Sequence, residues 1–237
     1  YMKNIALIFN TLVYLKLSQI YYRIFYSLKS KIFKNRKKIV ILKNFNSIIW
    51  KNGLINKNFF CEKDNNFNFL NIHHSFFEKI NWNIDQYGKL WTYNLNYFDY
   101  LNQNKITKKN GLKLINDFIK NDENLVDGIE PYTISLRGIN WIKFLTINKV
   151  KNETINNNLY DHYCILYENI EYHILGNHLL ENAFSLLFAA YYFQDEKFYN
   201  KSKKILISEL KEQLLDDGAH FELSPMYHQI MLFRVLD

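Results

Sequence analysis

Gly176-Asn177-His178-Leu179-Leu180-Glu181-Asn182-Ala183-Phe184-Ser185-Leu186-Leu187-Phe188-Ala189-Ala190 decides how this chain is read. Over residues 178–193 apolar side chains lie nearly all round a helical projection, so this helix is expected to be buried. Yet His178, Glu181, Asn182 and Ser185 recur at i, i+3, i+4 and i+7 and form one polar stripe. A polar stripe on a buried helix costs stability unless it meets partners or a wet cavity. Gly176 is expected to close the preceding helix in a left-handed conformation, with Asn177 capping the next. A ring of helices would place a cavity at its axis.

Working outward, the pattern is helical almost without break from about residue 107, with helices expected near 108–121, 133–148, 154–174, 178–193, 195–215 and 225–237. Asp127-Gly128 and Pro131 separate the first two, and Asp195 can cap the helix after it. Asp217-Gly218 reads as a turn, and Ser224-Pro225 as an N-cap followed by proline at the first helical position. Helices of this length with short connections make antiparallel hairpins. Gly (7) and Pro (2) are sparse, which argues against a many-turned β fold. The expected fold is all-α: an incomplete (α/α) toroid of antiparallel helical hairpins, with an irregular N-terminal segment and a basic amphipathic helix.

That helix covers residues 11–33, with Leu12, Leu15, Leu17, Ile20, Tyr21, Ile24, Phe25 and Leu28 at helical spacing and Lys16, Arg23, Lys29 and Lys31 opposite. Residues 39–75 read as a connecting segment with β-like pieces at Ile39–Leu42 and Phe67–Leu70, followed by an aromatic cluster over Leu90–Tyr100. The expected organisation is a basic amphipathic segment over 1–45, a connecting segment packing on the toroid over 46–106, and the first part of the toroid over 107–237. The chain begins with Tyr1 and stops at Asp237 within a helical run, so it is expected to be the front part of a longer protein.

The net charge of +7 is uneven. Residues 1–52 carry eleven Lys or Arg and no acid, and the remainder holds more acids than bases. The basic segment reads either as a solvated helix face with a charged loop or as an arm on an anionic surface, whether a membrane, a polysaccharide or nucleic acid. The partners expected are an anionic polysaccharide and a membrane surface met through residues 11–38, without nucleic acid. Cys61 and Cys164 fit no metal spacing. Met2–Phe9 resembles a short signal core, but Asn10, Thr11 and Lys16 interrupt it and no cleavage site follows. The compartment, periplasm or cytoplasm, is left open.

Polar side chains able to move protons recur at two helix starts, Asn177-His178 and His220-Phe221-Glu222-Leu223-Ser224-Pro225-Met226-Tyr227-His228. Free N–H groups at a helix start suit an anion, and Asn, His, Glu and Tyr can hold a carboxylate and shuttle a proton beside it. Each also has a plain structural reading: a cap for Asn177, a favourable dipole contact for Glu181, core packing for His178 and Tyr227. A phenol titrates near 10, so a tyrosine base needs cationic or hydrogen-bonding neighbours. His178, His228, Arg137 and the helix starts are the candidates. In Glu130–Trp141, Arg137, Asn140, Trp141 and Phe144 share a helix face. Arg137 could pair with a sugar carboxylate while Trp141 stacks on the ring, or the face could be a helix contact with a salt bridge to Glu130 or Glu181. No phosphate loop, HExxH, zinc spacing or serine nucleophile elbow is present.

Taken together, Leu90–Tyr100, Glu130–Leu145, Gly176–Ala190 and Asp217–His228 resemble, in order, the N-terminal domain of the heparinase II/III family of polysaccharide lyases. The resemblance covers most of residues 85–237. Tyr14–Arg23 looks like the start of bacterial members found among surface-polysaccharide genes. The resemblance implies an incomplete α/α toroid followed by a β-sandwich, and β-elimination on uronic-acid-containing polysaccharide without metal or cofactor. It implies catalytic roles for Asn177, His178 and Tyr227, and Glu181 falls where some members carry a functional Glu. Arg137 matches a family motif position, and substrate contacts for Arg137, Trp141, Glu181 and His228 are expected from the residues themselves. Leu223 stands where many members carry an arginine. The remaining toroid and β-sandwich, which supply a further catalytic His or Tyr in relatives, would be partners within the same protein, and the stretch alone is expected to be inactive. The alternative reading is a non-catalytic carbohydrate-binding or polysaccharide-biosynthesis-associated helical domain.

Overall fold

A computed structural model describes residues 10, 13–32, 48, 61–62, 65–104 and 106–237. Eight α-helices lie among them: α1 (Leu17–Ile32), α2 (Lys89–Tyr97), α3 (Lys108–Asn121), α4 (Pro131–Ile147), α5 (Glu153–Glu168), α6 (Gly176–Phe193), α7 (Glu196–Gln213) and α8 (Pro225–Leu236). A small antiparallel sheet, β1 (Cys61–Glu62), β2 (Asn66–Phe69) and β3 (Ile72–Ser75), precedes α2. Phe67 faces His74 and Phe69 faces Ile72 across the β2–β3 pair. The expected β-like piece at Phe67–Leu70 is therefore a strand ending at Phe69, while Ile39–Leu42 lies outside the described residues.

The helix contacts define two layers. Along the chain α2 packs on α4, α4 on α6 and α6 on α8, while α3 packs on α5 and each of α5 and α7 returns against its predecessor. The even-numbered helices form an inner row and α3, α5 and α7 an outer one, which is how an (α/α) toroid builds part of a ring. α2, which the sequence pattern registers only as an aromatic cluster, is the first inner helix. Its Trp91 and Leu95 are buried. Phe69 from the sheet meets Trp91 edge-on at 5.1 Å, so the sheet covers the outer side of that helix.

Close approach of the two layers depends on small residues. A Cβ at Gly138 would stand 2.4 Å from the Tyr163 hydroxyl, so α4 and α5 could not pack as they do with any larger residue there. Between the layers lie Trp82, Trp141, Phe98, Phe118 and Phe144, all nearly or fully buried. Trp82 stacks on Phe98 at 5.2 Å, and Phe118 meets both Phe98 and Trp141 edge-on. Aromatic pairs in these geometries add about 0.5–1.5 kcal/mol each beyond their area burial.

Two helix limits differ from expectation. The helix expected over 154–174 ends at Glu168, where the Asn169 amide turns back to the Ile165 carbonyl at 2.7 Å. The chain then folds into the Ile170–Leu175 turn, and the Asn182 side chain accepts from the Glu171 N–H at 2.9 Å. The first helix begins at Leu17 within the expected 11–33, and the Gln19 side chain accepts from the Lys16 N–H at 3.0 Å, one half of a capping box.

Candidate functional site

The inner helices each turn one stripe toward a common cavity of about 860 Å³. α2 contributes Leu90, Tyr93, Asn94 and Tyr97; α4 contributes Tyr132, Thr133, Leu136, Asn140 and Lys143; α8 contributes Met226, Tyr227, Ile230, Phe233 and Arg234. Within each helix single or adjacent positions recur one turn apart, the period that keeps side chains on one face. α6 meets the cavity only with its first turn, through Asn177 and His178.

The start of α6 is unusual. Its N-cap is Leu175 at φ 67 and ψ −158, a backbone region that is nearly glycine-only, and Gly176 follows at φ 59. Asn177 is thus not the cap but the second helical residue, and no side chain caps this terminus. The expectation of an Asn177 cap fails because Gly176 itself enters the helix instead of closing the preceding one. Strain of this kind costs on the order of 1–3 kcal/mol and persists only where the surroundings enforce it. The first turn of α8 is similarly open: Ser224 occupies the N-cap without a side-chain hydrogen bond. Two uncapped helix starts therefore border one cavity, each with free N–H groups and the positive end of a helix dipole.

His178 is fixed from behind. Its Nδ1 lies 3.1 Å from the Glu171 carboxylate, and its ring packs on Tyr132 at 4.4 Å. The other Glu171 oxygen accepts from the Asn182 amide at 3.0 Å, and that amide also reaches the Ser135 hydroxyl at 3.1 Å. An ionised carboxylate only accepts, so Nδ1 carries the proton and Nε2 is the nitrogen left for a ligand. The Asn177 amide and the Tyr227 hydroxyl make no hydrogen bond among the described residues.

The polar stripe of α6 thus divides. Only His178 reaches the cavity. Asn182 bonds as described, and the buried Ser185 hydroxyl donates to the Ser135 carbonyl at 2.8 Å. Glu181 is 1% exposed and pairs with Arg234 at 2.8 Å. It shapes the site through that arginine and does not line the cavity.

Arg137 and Trp141 are corrected more sharply. Neither lines the cavity. Arg137 is 1% exposed, donates to the Gly128 carbonyl at 2.8 Å, and lies over the Phe118 ring at 4.7 Å. Burial lowers its pKa to about 10, against the pull of Asp122. Trp141 is fully buried among Phe98 and Phe118 and presents no face to a sugar. The expected shared face of α4 turns toward the outer layer, apart from Asn140, which bonds Asp99 at 2.6 Å on the cavity wall. His228 adjoins Tyr227 in α8 but does not line the cavity either. Leu223 is 77% exposed and also lies off the cavity wall.

The charges that do line the cavity are Asp99, Glu130, Lys143, Glu171 and Arg234. Burial would lower the Arg234 pKa, but Glu181 and Asp237 outweigh it and hold the guanidinium above its ordinary value. Burial lowers Lys143, whose partner is Asp237. Burial raises Asp99, opposed by the Asn140 hydrogen bond. Burial likewise raises the phenols of Tyr132 and Tyr97, so both are neutral donors at physiological pH. Arg234 and Lys143 are the cavity cations that motif reading passes over. The signal for Arg234 is its place seven residues after Tyr227, on the same helix face. Among the described residues no group of three or more His, Cys, Asp or Glu is arranged to hold a metal ion.

Residues 133–237 match a family model described as the heparinase II/III N-terminus, a span that begins in α4 and runs through α8. No curated protein and no solved structure matches the chain.

Proposed function

We propose, from the match of residues 133–237 to the heparinase II/III N-terminus, that the cavity binds a uronate of an anionic polysaccharide and cleaves the adjoining glycosidic bond by β-elimination. The family sets this domain in a polysaccharide-lyase lineage. The observation that supports the finer reading is that Asn177, His178 and Tyr227, from the uncapped first turns of two inner helices, border the same cavity.

In this scheme His178 acts as the imidazolium, with Nδ1–H held by Glu171, and its Nε2–H donates together with the Asn177 amide to the C5 carboxylate, aided by the positive end of α6. As the C5–H bond breaks, charge moves into the carboxylate, and donors already in place stabilise it without reorganisation. Tyr227 takes the C5 proton, returns one to the departing O4, or does both. The C4–O4 bond breaks as the C4–C5 double bond forms, and no water is consumed. Tyr97 and Tyr132, neutral in the wall, can donate to sugar hydroxyls. The binding of the flanking sugars falls to the α2 and α8 stripes.

The test is Tyr227→Phe in the intact protein, read by the ultraviolet absorbance of the unsaturated uronate product. Loss of that signal with uronate-oligosaccharide binding retained is expected; undiminished turnover would reject the role of Tyr227. A second reading, a binding domain without turnover, is favoured by one observation: the two cavity cations, Lys143 and Arg234, are both already paired with carboxylates. It predicts oligosaccharide binding without double-bond formation by the unaltered protein.

A further inference from the structure

Helix α1 uses one edge and leaves another bare. Gln19, Tyr22, Tyr26 and Lys29, spaced three and four apart, face the turn that leads into α6. The Gln19 amide donates to the Ile174 carbonyl at 3.1 Å, the Tyr26 hydroxyl to Ile170 at 2.6 Å and the Lys29 ammonium to Glu168 at 2.8 Å. Tyr22 stacks on Tyr172 with ring centres 4.6 Å apart. The helix is thus held against the toroid by main-chain acceptors that the end of α5 would otherwise leave to water.

On the opposite side stand Leu17, Tyr21, Ile24 and Leu28, exposed by 85%, 61%, 58% and 54%. Phe25 and Tyr14 extend the strip at 43% and 87% exposure. Four to six large apolar side chains in one continuous stripe differ from the scattered exposed leucines of an ordinary surface. Arg23 is exposed beside it, as is Lys16, whose ammonium pairs with Glu212. The stripe lies within residues 1–52, which carry eleven bases and no acid.

We propose that the outer face of α1 docks on an anionic phospholipid surface, lying flat with Leu17, Tyr21, Ile24 and Leu28 in the boundary between headgroups and acyl chains. Its charge selects this occupant. A second copy would bring two acid-free, strongly basic segments together without counter-charge, whereas anionic headgroups supply it. Length excludes a span: α1 has 16 residues, roughly 24 Å at the helical rise. No helix among the described residues is long and apolar enough to cross a membrane. A basic helix with an aliphatic and aromatic face is the usual form of an interfacial anchor. Because α1 is already folded against the toroid, docking does not have to form the helix at the membrane. It would hold the 168–175 turn, and the cavity behind it, at a set orientation to the lipid.

The experiment is co-sedimentation of the intact protein with vesicles of phosphatidylglycerol and phosphatidylcholine, 1:1, against phosphatidylcholine alone. Partitioning at least tenfold stronger on the anionic vesicles is expected, falling as salt is raised. The triple variant Leu17→Asp, Ile24→Asp, Leu28→Asp should lose at least tenfold of that partitioning. Arg23→Gln, an exposed single change that leaves the docking edge intact, should lose about fivefold, the equivalent of one basic contact near the surface. Absence of binding to anionic vesicles overturns the proposal, as does equal binding to neutral ones. Undiminished binding by the triple variant also overturns it, by moving the contact off α1. So does a concentration-dependent dimer that the triple variant abolishes without any vesicle binding. None of these readouts depends on lyase turnover.

Discussion

The start of α6 and the middle of α4 carry similar side chains and meet opposite fates. Asn177 and His178 stand at a strained, uncapped helix start, and the Asn177 amide has no hydrogen-bond partner among the described residues. Arg137 and Trp141 lie on a helix that is buried on nearly every side, where Arg137 caps the Gly128 carbonyl and Trp141 fills the gap between layers. The difference is one of access. Arg137 bonds the Gly128 carbonyl through one nitrogen, but its Nε and Nη2 and the Trp141 Nε1 are buried without a hydrogen-bond partner among the described residues, where no ligand reaches them. A polar group held at a cavity wall with bonds unmade keeps its interaction energy for a ligand.

The sharpest way to break this comparison is to alter one residue from each region and measure both stability and turnover. Asn177→Ala should lower product formation on a uronate polymer by roughly 10²–10³, the usual loss for one preorganised donor, with an unchanged thermal midpoint. Arg137→Ala should do the reverse. It strands buried carbonyls and opens a cavity beside Phe118, for a loss of about 3 kcal/mol in chemical denaturation, with the turnover of the folded fraction preserved. If Arg137→Ala abolishes turnover while stability holds, the assignment of the two regions is wrong.

A smaller effect sharpens the α6 side. Glu171→Gln keeps the shape but removes the charge that holds the His178 Nδ1 proton. Activity should fall roughly tenfold, by analogy with the outer partners of metal-bound histidines, and the pH profile of kcat should move, which a merely structural role would not produce. A fall in activity with an unmoved profile would count against Glu171 as the residue that positions His178.

The smallest expected effect concerns the turn before α8. His220 is buried, its Nδ1 faces the Glu222 N–H at 3.4 Å, and its Nε2 faces Gln213 Oε1 at 3.2 Å. That arrangement needs a neutral ring, and burial lowers its pKa. The unfolded chain therefore binds a proton that the folded one resists, so this contribution is present above the ordinary histidine value of about 6.5 and is lost as pH falls below it. Thermal midpoints recorded downward from pH 7.5 should decline for the unaltered protein and decline less for His220→Gln. Parallel curves would remove His220 as the cause.

Much of the architecture was legible because helices declare themselves locally. Thr107 accepts from the Asn110 N–H and Asp195 from the Phe198 N–H, and proline opens α4 and α8, so these starts follow from short-range chemistry. The sequence was weaker where a helix is apolar all round. Periodicity then shows that Arg137, Asn140, Trp141 and Phe144 share a side, but not whether that side meets the outer layer or the cavity. It also concealed α2, whose short length and asparagine content give little helical signal, and Arg234, whose meaning depends on Glu181 two helices earlier in the chain.

By itself, then, the sequence determined the succession of hairpins, the basic character of the first segment and the placing of Asn177, His178 and Tyr227 at helix starts. Those properties depend on neighbours within a few residues, through backbone hydrogen bonding and side-chain period. Only the tertiary structure decided which face of each inner helix lines the cavity, which polar groups are satisfied across the layers, and which edge of α1 stays bare. Those outcomes depend on packing between residues far apart in the chain, where burial and desolvation are settled jointly and no local pattern records them.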